Sequence, residues 1–314
     1  MSEQKYKNRL LWVSCSILLS FLLLSFLYEP VLSDLFTIRV NKTVIDGQLA
    51  YPPFSPLEVR PFGTDILGFT VFAKVIQGFK YTFLIGLFLS VFQILISLFL
   101  SSLTIYRPVK VILMPIIGYF DKLFTLIPKP FLLLLVIGPY YHAMLFSAED
   151  VQPAVNLTYL FIQLLVLFLV GLPSLVKLYH DEIAYLLRQD FADASQNLGR
   201  SKFGLIRYSF RPQLLILTSN LLMKVLIQNL SLFIYLAYFN LYLGGSLMMK
   251  IDVGIHYTVT LSNEWSGLIG QNINRLASTP WTVLIPLIFY SGLILLLNAI
   301  KRALVGGMKN QRLY

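Results

Sequence analysis

Cysteine is almost missing from this 314-residue chain: Cys15 stands alone, so neither a disulfide nor a thiolate metal cluster can form within one copy. Charge is scarce as well, at 13% of residues, where a soluble domain carries about 25%. A water-soluble fold of that composition could not cover its surface. With 57% apolar residues and a mean hydropathy of +0.72, the excess must face hydrocarbon. No G-x-x-x-x-G-K-[ST] run occurs, which excludes the usual phosphate-cradling ATPase loop on this chain. Histidine occurs three times, at His142, His180 and His256, and each reads as an interfacial or loop residue. Acidic residues number 15 against 25 basic ones, a net charge of +10. The placement of those cations decides what the surplus means.

What is present is a series of long apolar runs. Residues 10–28, LLWVSCSILLSFLLLSFLY, carry no charge and suffice for a helix to cross about 30 Å of hydrocarbon. Lys5, Lys7 and Arg9 before them would suit a signal peptide, yet FLYEPVLSD contains no small-residue cleavage pattern, so a retained first span is predicted. Cys15 falls inside it as a small lipid-facing or packing residue. Residues 29–80 read as an extracytoplasmic segment, because YPPFSP is incompatible with a spanning helix. A core of five further spans is expected over 81–302, starting with the uncharged run 81–103. Residues 104–130, broken by Arg107, Lys110, Asp121, Lys122, Lys129 and four prolines, read as an interfacial or broken segment leading into a third span near 131–147. An acidic turn with Glu149 and Asp150, a fourth span at 154–176, a polar interruption at 177–212, a fifth apolar stretch at 213–243, a loop at 244–280 and a sixth span at 281–300 complete the reading. Trp265 and Trp281 are expected as interface anchors in that loop.

Orientation follows from the cations. The tail 1–9 holds three Lys/Arg, residues 104–130 four, residues 177–211 six and the C-terminal tail four, whereas 29–80, 148–153 and 244–280 together hold seven. Positive residues near span ends favour the cytoplasmic side. Both termini, including the tail 303–314, and the 177–212 loop are therefore expected inside. The basic surplus is accounted for by topology, and no nucleic-acid partner is expected.

The interruption QDFADASQNLGRSKFGLIRYSFRPQ, residues 189–213, is the most informative stretch. Ile183, Leu186, Leu187, Phe191, Ala194 and Leu198 fall along one helical face, and Phe203, Ile206 and Phe210 repeat the pattern beyond Gly199. Gly199 permits a backbone angle that other residues reach only with strain, and Pro212 is expected to keep Arg211 out of a helix. Two short helices around a bend are predicted. The loop is longer than a plain helix connection of about two to eight residues requires. Further on, Lys224, Gln228 and Asn229 interrupt the fifth run. Sixteen residues of helix from Pro212 to Gln228 rise about 24 Å, which places these polar groups in the hydrocarbon zone. Pathway lining, contact with another subunit, and snorkelling to the interface are all compatible with that placement.

The order Asp193, Ala194, Ser195, three residues, Gly199, then Pro212 thirteen residues later resembles the E-A-A…G signature of membrane-spanning permease subunits in binding-protein-dependent ABC importers. Residues 61–86, PFGTDILGFTVFAKVIQGFKYTFLIG, are similar to the stretch before the second span in C-type subunits of the oligopeptide/dipeptide/nickel group. Gly63, Thr64, Asp65, Leu67 and Gly68 match its L-G-T-D-x-L-G pattern, whereas Phe69 and Thr70 replace its Arg-Asp. Residues 113–137, LYLGG at 241–245, and EWSGLI followed by STPWTVLIPLIFYSGLILLLNAI continue the similarity over about residues 9–309. Asp193 in place of Glu, Ser195 in place of Ala and Arg211 in place of an apolar residue mark a divergent member.

The resemblance implies an all-α integral membrane protein of six transmembrane helices, the type I importer permease fold, in a bacterial cytoplasmic membrane. It implies a coupling role for Asp193, Ala194, Ser195, Gly199, Phe203, Ile206 and Pro212, with Phe203 and Ile206 buried against an ATPase. It further implies a second, different permease chain, two ATPase subunits and an extracytoplasmic substrate-binding lipoprotein. No cofactor would be bound by this chain, and ATP and Mg2+ would sit on the partners, so the chain would not itself be an enzyme. Oligopeptides are the first substrate class implied, with dipeptides or nickel chelates behind them. An ion-gradient-driven secondary transporter is the alternative from the residues alone.

Overall fold

The computed structural model describes residues 2–32, 39–45, 48–147, 157–252 and 255–310. The acidic turn at Glu149 and Asp150, residues 311–314 of the tail, and the side chains of His142 and His256 lie outside that description. Helix α1 (Ser2–Leu27) closes in a π turn over Tyr28–Leu32. A small hairpin, β1 (Thr43–Ile45) with β2 (Gln48–Ala50), follows. Then come α2 (Val71–Leu103), α3 (Arg107–Leu126), α4 (Lys129–Ser147) and α5 (Leu157–Leu187). The polar interruption forms α6 (Asp190–Asn197) and a single turn, α7 (Lys202–Gly204), which widens into a π turn over Leu205–Ser209. Helix α8 (Arg211–Tyr238), an antiparallel hairpin of β3 (Ser246–Asp252) and β4 (Ile255–Thr260), α9 (Trp265–Asn272) and α10 (Trp281–Asn310) complete the chain.

Among the described residues, five helical segments are long and apolar enough to cross a bilayer, and the pair α3 and α4 makes a sixth if its two arms are counted as one span. The protein is thus an all-α bundle with the helix lengths and composition of a multi-span membrane protein. The arms of that pair meet at 97°. Pro128 explains the corner, because the residue before a proline is driven out of the helical region, and Ile127 sits at φ −98, ψ 126.

Helix α2 is the central element, in contact with α1, α5, α8 and α9. Because lipid is as apolar as leucine, apolar side chains alone do not hold such helices together. Here a polar row does. Ser90, Gln93, Ser97 and Ser101, spaced three and four apart, are all buried. Gln93 donates to Leu167 O at 3.0 Å and Ser101 to Val176 O at 2.7 Å, both on α5. Asn229 on α8 donates to Ser90 Oγ and Gln93 Oε1, each at 2.9 Å. Gly171 makes room, since a Cβ there would lie 2.3 Å from Gln93 Nε2.

Three expectations need correction. Residues 244–280 are not a loop: they hold the β3–β4 hairpin and α9, every residue of which is buried. Part of its polar surface is satisfied internally, Gln271 Oε1 accepting from Thr260 N at 3.0 Å and Asn272 Oδ1 from Tyr257 OH at 2.8 Å, while Ser266 Oγ and Gln271 Nε2 are buried without a partner among the described residues. Trp265 is no interface anchor. It is 2% exposed, packs on Phe79 at 5.1 Å between ring centroids and donates Nε1–H to Val75 O at 2.7 Å. Arg211 is helical, because Pro212 occupies the first turn of α8, where a missing N–H costs nothing.

Candidate functional site

The expected site residues fall into three places. The first is the end of the bundle that carries α6. Helix α5 stops at Leu187, so the apolar face read across residues 183–198 does not stay in phase. Ile183, Leu186, Ala192, Leu205, Ile206, Phe210 and Leu214 form a compact cluster of buried side chains. Phe191, Ala194 and Leu198 instead face outward. Phe191 still touches the cluster edge-on, its ring 5.7 Å from Phe210. Ile206, expected to bury against a neighbouring subunit, is spent inside this chain. Phe203 is 47% exposed and Leu198 89% exposed.

Helix α6 ends in a Schellman turn. Gly199 has φ +89, its N–H donates to Gln196 O at 2.9 Å, and Arg200 N–H donates to Ser195 O at 3.1 Å. No atom lies within 4 Å of where a Cβ on Gly199 would be, so the glycine is required by backbone angle and not by crowding. Ser201 caps the next turn by accepting from Gly204 N at 3.1 Å, and Ser195 Oγ donates to Phe191 O at 2.7 Å. Asp190 and Asp193 occupy the first turn of α6, where carboxylates complement the helix dipole. Asp193 also lines a polar recess of about 320 Å³ with Lys110, His180, Arg188 and Lys202.

The second place is a cleft open to the bundle surface, with Lys224 and Gln228 exposed at its mouth and Gln93 and Asn229 buried. Lys224 and Gln228 line it with Gln93, Ser174 and Asn229, and Lys129 enters from the start of α4. Asn229 is buried at its floor in the polar row already described. Lys129, Gln93 and Ser90 were not singled out from sequence. The three-and-four spacing of Ser90, Gln93, Ser97 and Ser101 in an uncharged span was the available signal.

The third place is the Gly63–Gly68 loop ahead of α2, at the opposite end from α6. Asp65 Oδ1 accepts from Leu67 N and Phe69 N, each at 2.9 Å, and Oδ2 pairs with Lys74 Nζ at 2.7 Å. Gly63 and Gly68 have φ +72 and +81, and a Cβ on either would press on a backbone carbonyl at 2.5 or 2.3 Å. Thr64 accepts from Phe54 N through Oγ1 at 2.9 Å, and its carbonyl accepts from Trp281 Nε1 at 3.0 Å. Leu67 is half-buried, and its carbonyl accepts from Arg39 Nε at 2.9 Å. The loop is thereby a folded plug joining α2 to α10, with every motif residue engaged in its shape. These three groups lie in separate parts of the fold.

Close to that plug, Glu264 is fully buried. It accepts hydrogen bonds from Thr260 Oγ1, Ser262 Oγ and, at 3.1 Å, Leu243 N. Burial outweighs these donors and pushes its carboxyl up to about 7. Between pH 4.5 and 7 the unfolded chain ionises this group while the folded one keeps its proton, so stability falls as pH rises through that window. The effect is on the order of 3 kcal/mol. Thermal unfolding midpoints in detergent are expected to drop from pH 5 to pH 8, and Glu264→Gln is expected to remove most of the drop; a Gln variant with the parent's pH profile contradicts the assignment.

No protein-family model matches the chain, and a search of curated proteins finds no match either.

Proposed function

We propose that the chain is the permease subunit of an ATP-driven importer, contributing half of a transmembrane pathway for oligopeptides. The observation that carries this reading is the α6–α7 knob. It is seated on its own apolar cluster, braced by two capped turns, and leaves Leu198 and Phe203 pointing away from the bundle. A part that transmits force between subunits needs a packed base and an exposed contact face, and here the buried cluster supplies the base while Leu198 and Phe203 stand out among exposed polar residues. The ordered E-A-A…G-like and L-G-T-D-x-L-G-like stretches support the same reading. In it, the α6 end faces the cytoplasm of a bacterial cell, where the cations cluster. Two ATPase subunits, whose sites hold ATP and Mg2+, dock beneath. A second, different permease chain completes the pathway, and a substrate-binding lipoprotein delivers the solute outside. The chemistry of hydrolysis belongs to those partners.

The test is co-purification of the full chain with its neighbours from membranes, followed by uptake in vesicles. The parent is expected to retain an ATPase pair and to need ATP. Leu198→Asp combined with Phe203→Asp is expected to lose the ATPase at an unchanged membrane level, since both side chains are exposed in this chain. Uptake driven by an ion gradient without ATP, or an ATPase still held by the double variant, contradicts the proposal.

A further inference from the structure

We infer that the cleft between α2, α4, α5 and α8 recognises an anionic oxygen group of the solute, a carboxylate in the simplest case. This rests on the transport reading above and goes beyond it by naming the charge of the cargo. Two ammonium groups, Lys129 from α4 and Lys224 from α8, line one cleft of about 90 Å³, ample for a carboxylate and its waters. Among the described residues, no Asp or Glu lines it. Neither lysine, nor the Gln228 amide beside them, has a hydrogen-bond partner among the described residues.

Position makes this arrangement costly without a ligand. Lys224 lies halfway along the 28-residue α8, which puts it about 20 Å from either helix end, and a cation at that depth must face a cavity or a partner. A second cation on the same space adds repulsion, and Lys224 and Lys129 do act on one another. Asp121, in the adjoining recess, attracts Lys129. Its oxygens are already taken, Oδ1 by Ser174 Oγ at 2.7 Å and Oδ2 by Lys177 Nζ at 3.0 Å. The floor is fixed too, because Gln93 and Asn229 are bonded to each other and to α5. A fixed polar floor beneath two cations, only one of which feels a carboxylate, is a receptor for negative charge.

The experiment is titration calorimetry on the full chain in phosphatidylcholine nanodiscs, with succinate, N-acetyl-dialanine and N-acetyl-dialanine amide as probes. The two acids are expected to bind and the amide to bind about 30-fold more weakly or not at all. Lys224→Met and Lys129→Met are each expected to weaken the acids by about 30-fold, whereas Lys224→Arg stays close to the parent and controls for folding. Equal binding of acid and amide, no binding of either acid, or acid binding unchanged in both Met variants overturns the inference. None of these measurements involves an ATPase. Anion binding without ATP-dependent uptake therefore counts against the importer reading alone, and ATP-dependent uptake with no anion binding counts against the cleft alone.

Discussion

Lys74→Met is expected to cost about 3–5 kcal/mol of stability, the range found when one partner of a buried ion pair is removed. Asp65 and Lys74 are both almost fully buried and meet at 2.7 Å, so deleting the ammonium strands a carboxylate that cannot reach water. The two backbone N–H groups on Oδ1 remain, and they do not supply a full counter-charge. Lys74 also lies 5.0 Å from the Phe69 ring centroid, a contact that the methionine keeps only as packing. The double variant Asp65→Asn, Lys74→Met removes both charges and keeps an acceptor for the two N–H groups. It is expected to recover most of the loss. Unfolding of the purified proteins in detergent measures both, and a single variant as stable as the parent shows that the pair is not buried as described.

Gly199→Pro is expected to abolish uptake while leaving the protein in the membrane at its normal level. Proline holds φ near −65°, whereas Gly199 stands at +89, and it removes the N–H that closes the turn on Gln196. The α6–α7 turn must then open, and the knob loses its fixed angle to α5 and α8. Gly199→Ala is the graded control. It retains the N–H and meets no atom within 4 Å, so it pays only the left-handed strain of about 1–2 kcal/mol and is expected to transport at a reduced rate. Reconstituted vesicles with the ATPase partners separate ATP hydrolysis from solute entry. Unimpaired entry with Gly199→Pro means that the turn does not transmit force.

The long helices were legible because an uncharged apolar run of twenty residues has few other destinations. The corner between α3 and α4 was legible in part, since Pro128 marks it, but nothing local sets a 97° angle. Helix α9 was unreadable because Gln271 and Asn272 look solvent-seeking until their partners on β4, Thr260 and Tyr257, are known. The mistake at α6 was one of phase. A face drawn through Phe191, Ala194 and Leu198 assumes one continuous helix, and two non-helical residues after Leu187 turn that face outward. Asp65 was noticed as part of a pattern, yet its partner lies nine residues on, inside a span where a lysine reads as a boundary. Lys129 was passed over for the same reason. Next to two prolines it looks like punctuation, and only the folded bundle sets it opposite Lys224.

The hydroxyl and amide row on α2 bears on how this bundle can move. In hydrocarbon a parted donor finds no water to take the place of its lost acceptor, so sliding α2 along α5 or α8 would leave several groups bare at once. These three helices must travel as one block. Opening meets least resistance along the seam that α4 makes with that block, because α1 is tied to α2 through Ser25, Gln77 and Lys80, and α10 to α8 through Tyr290 and Leu230.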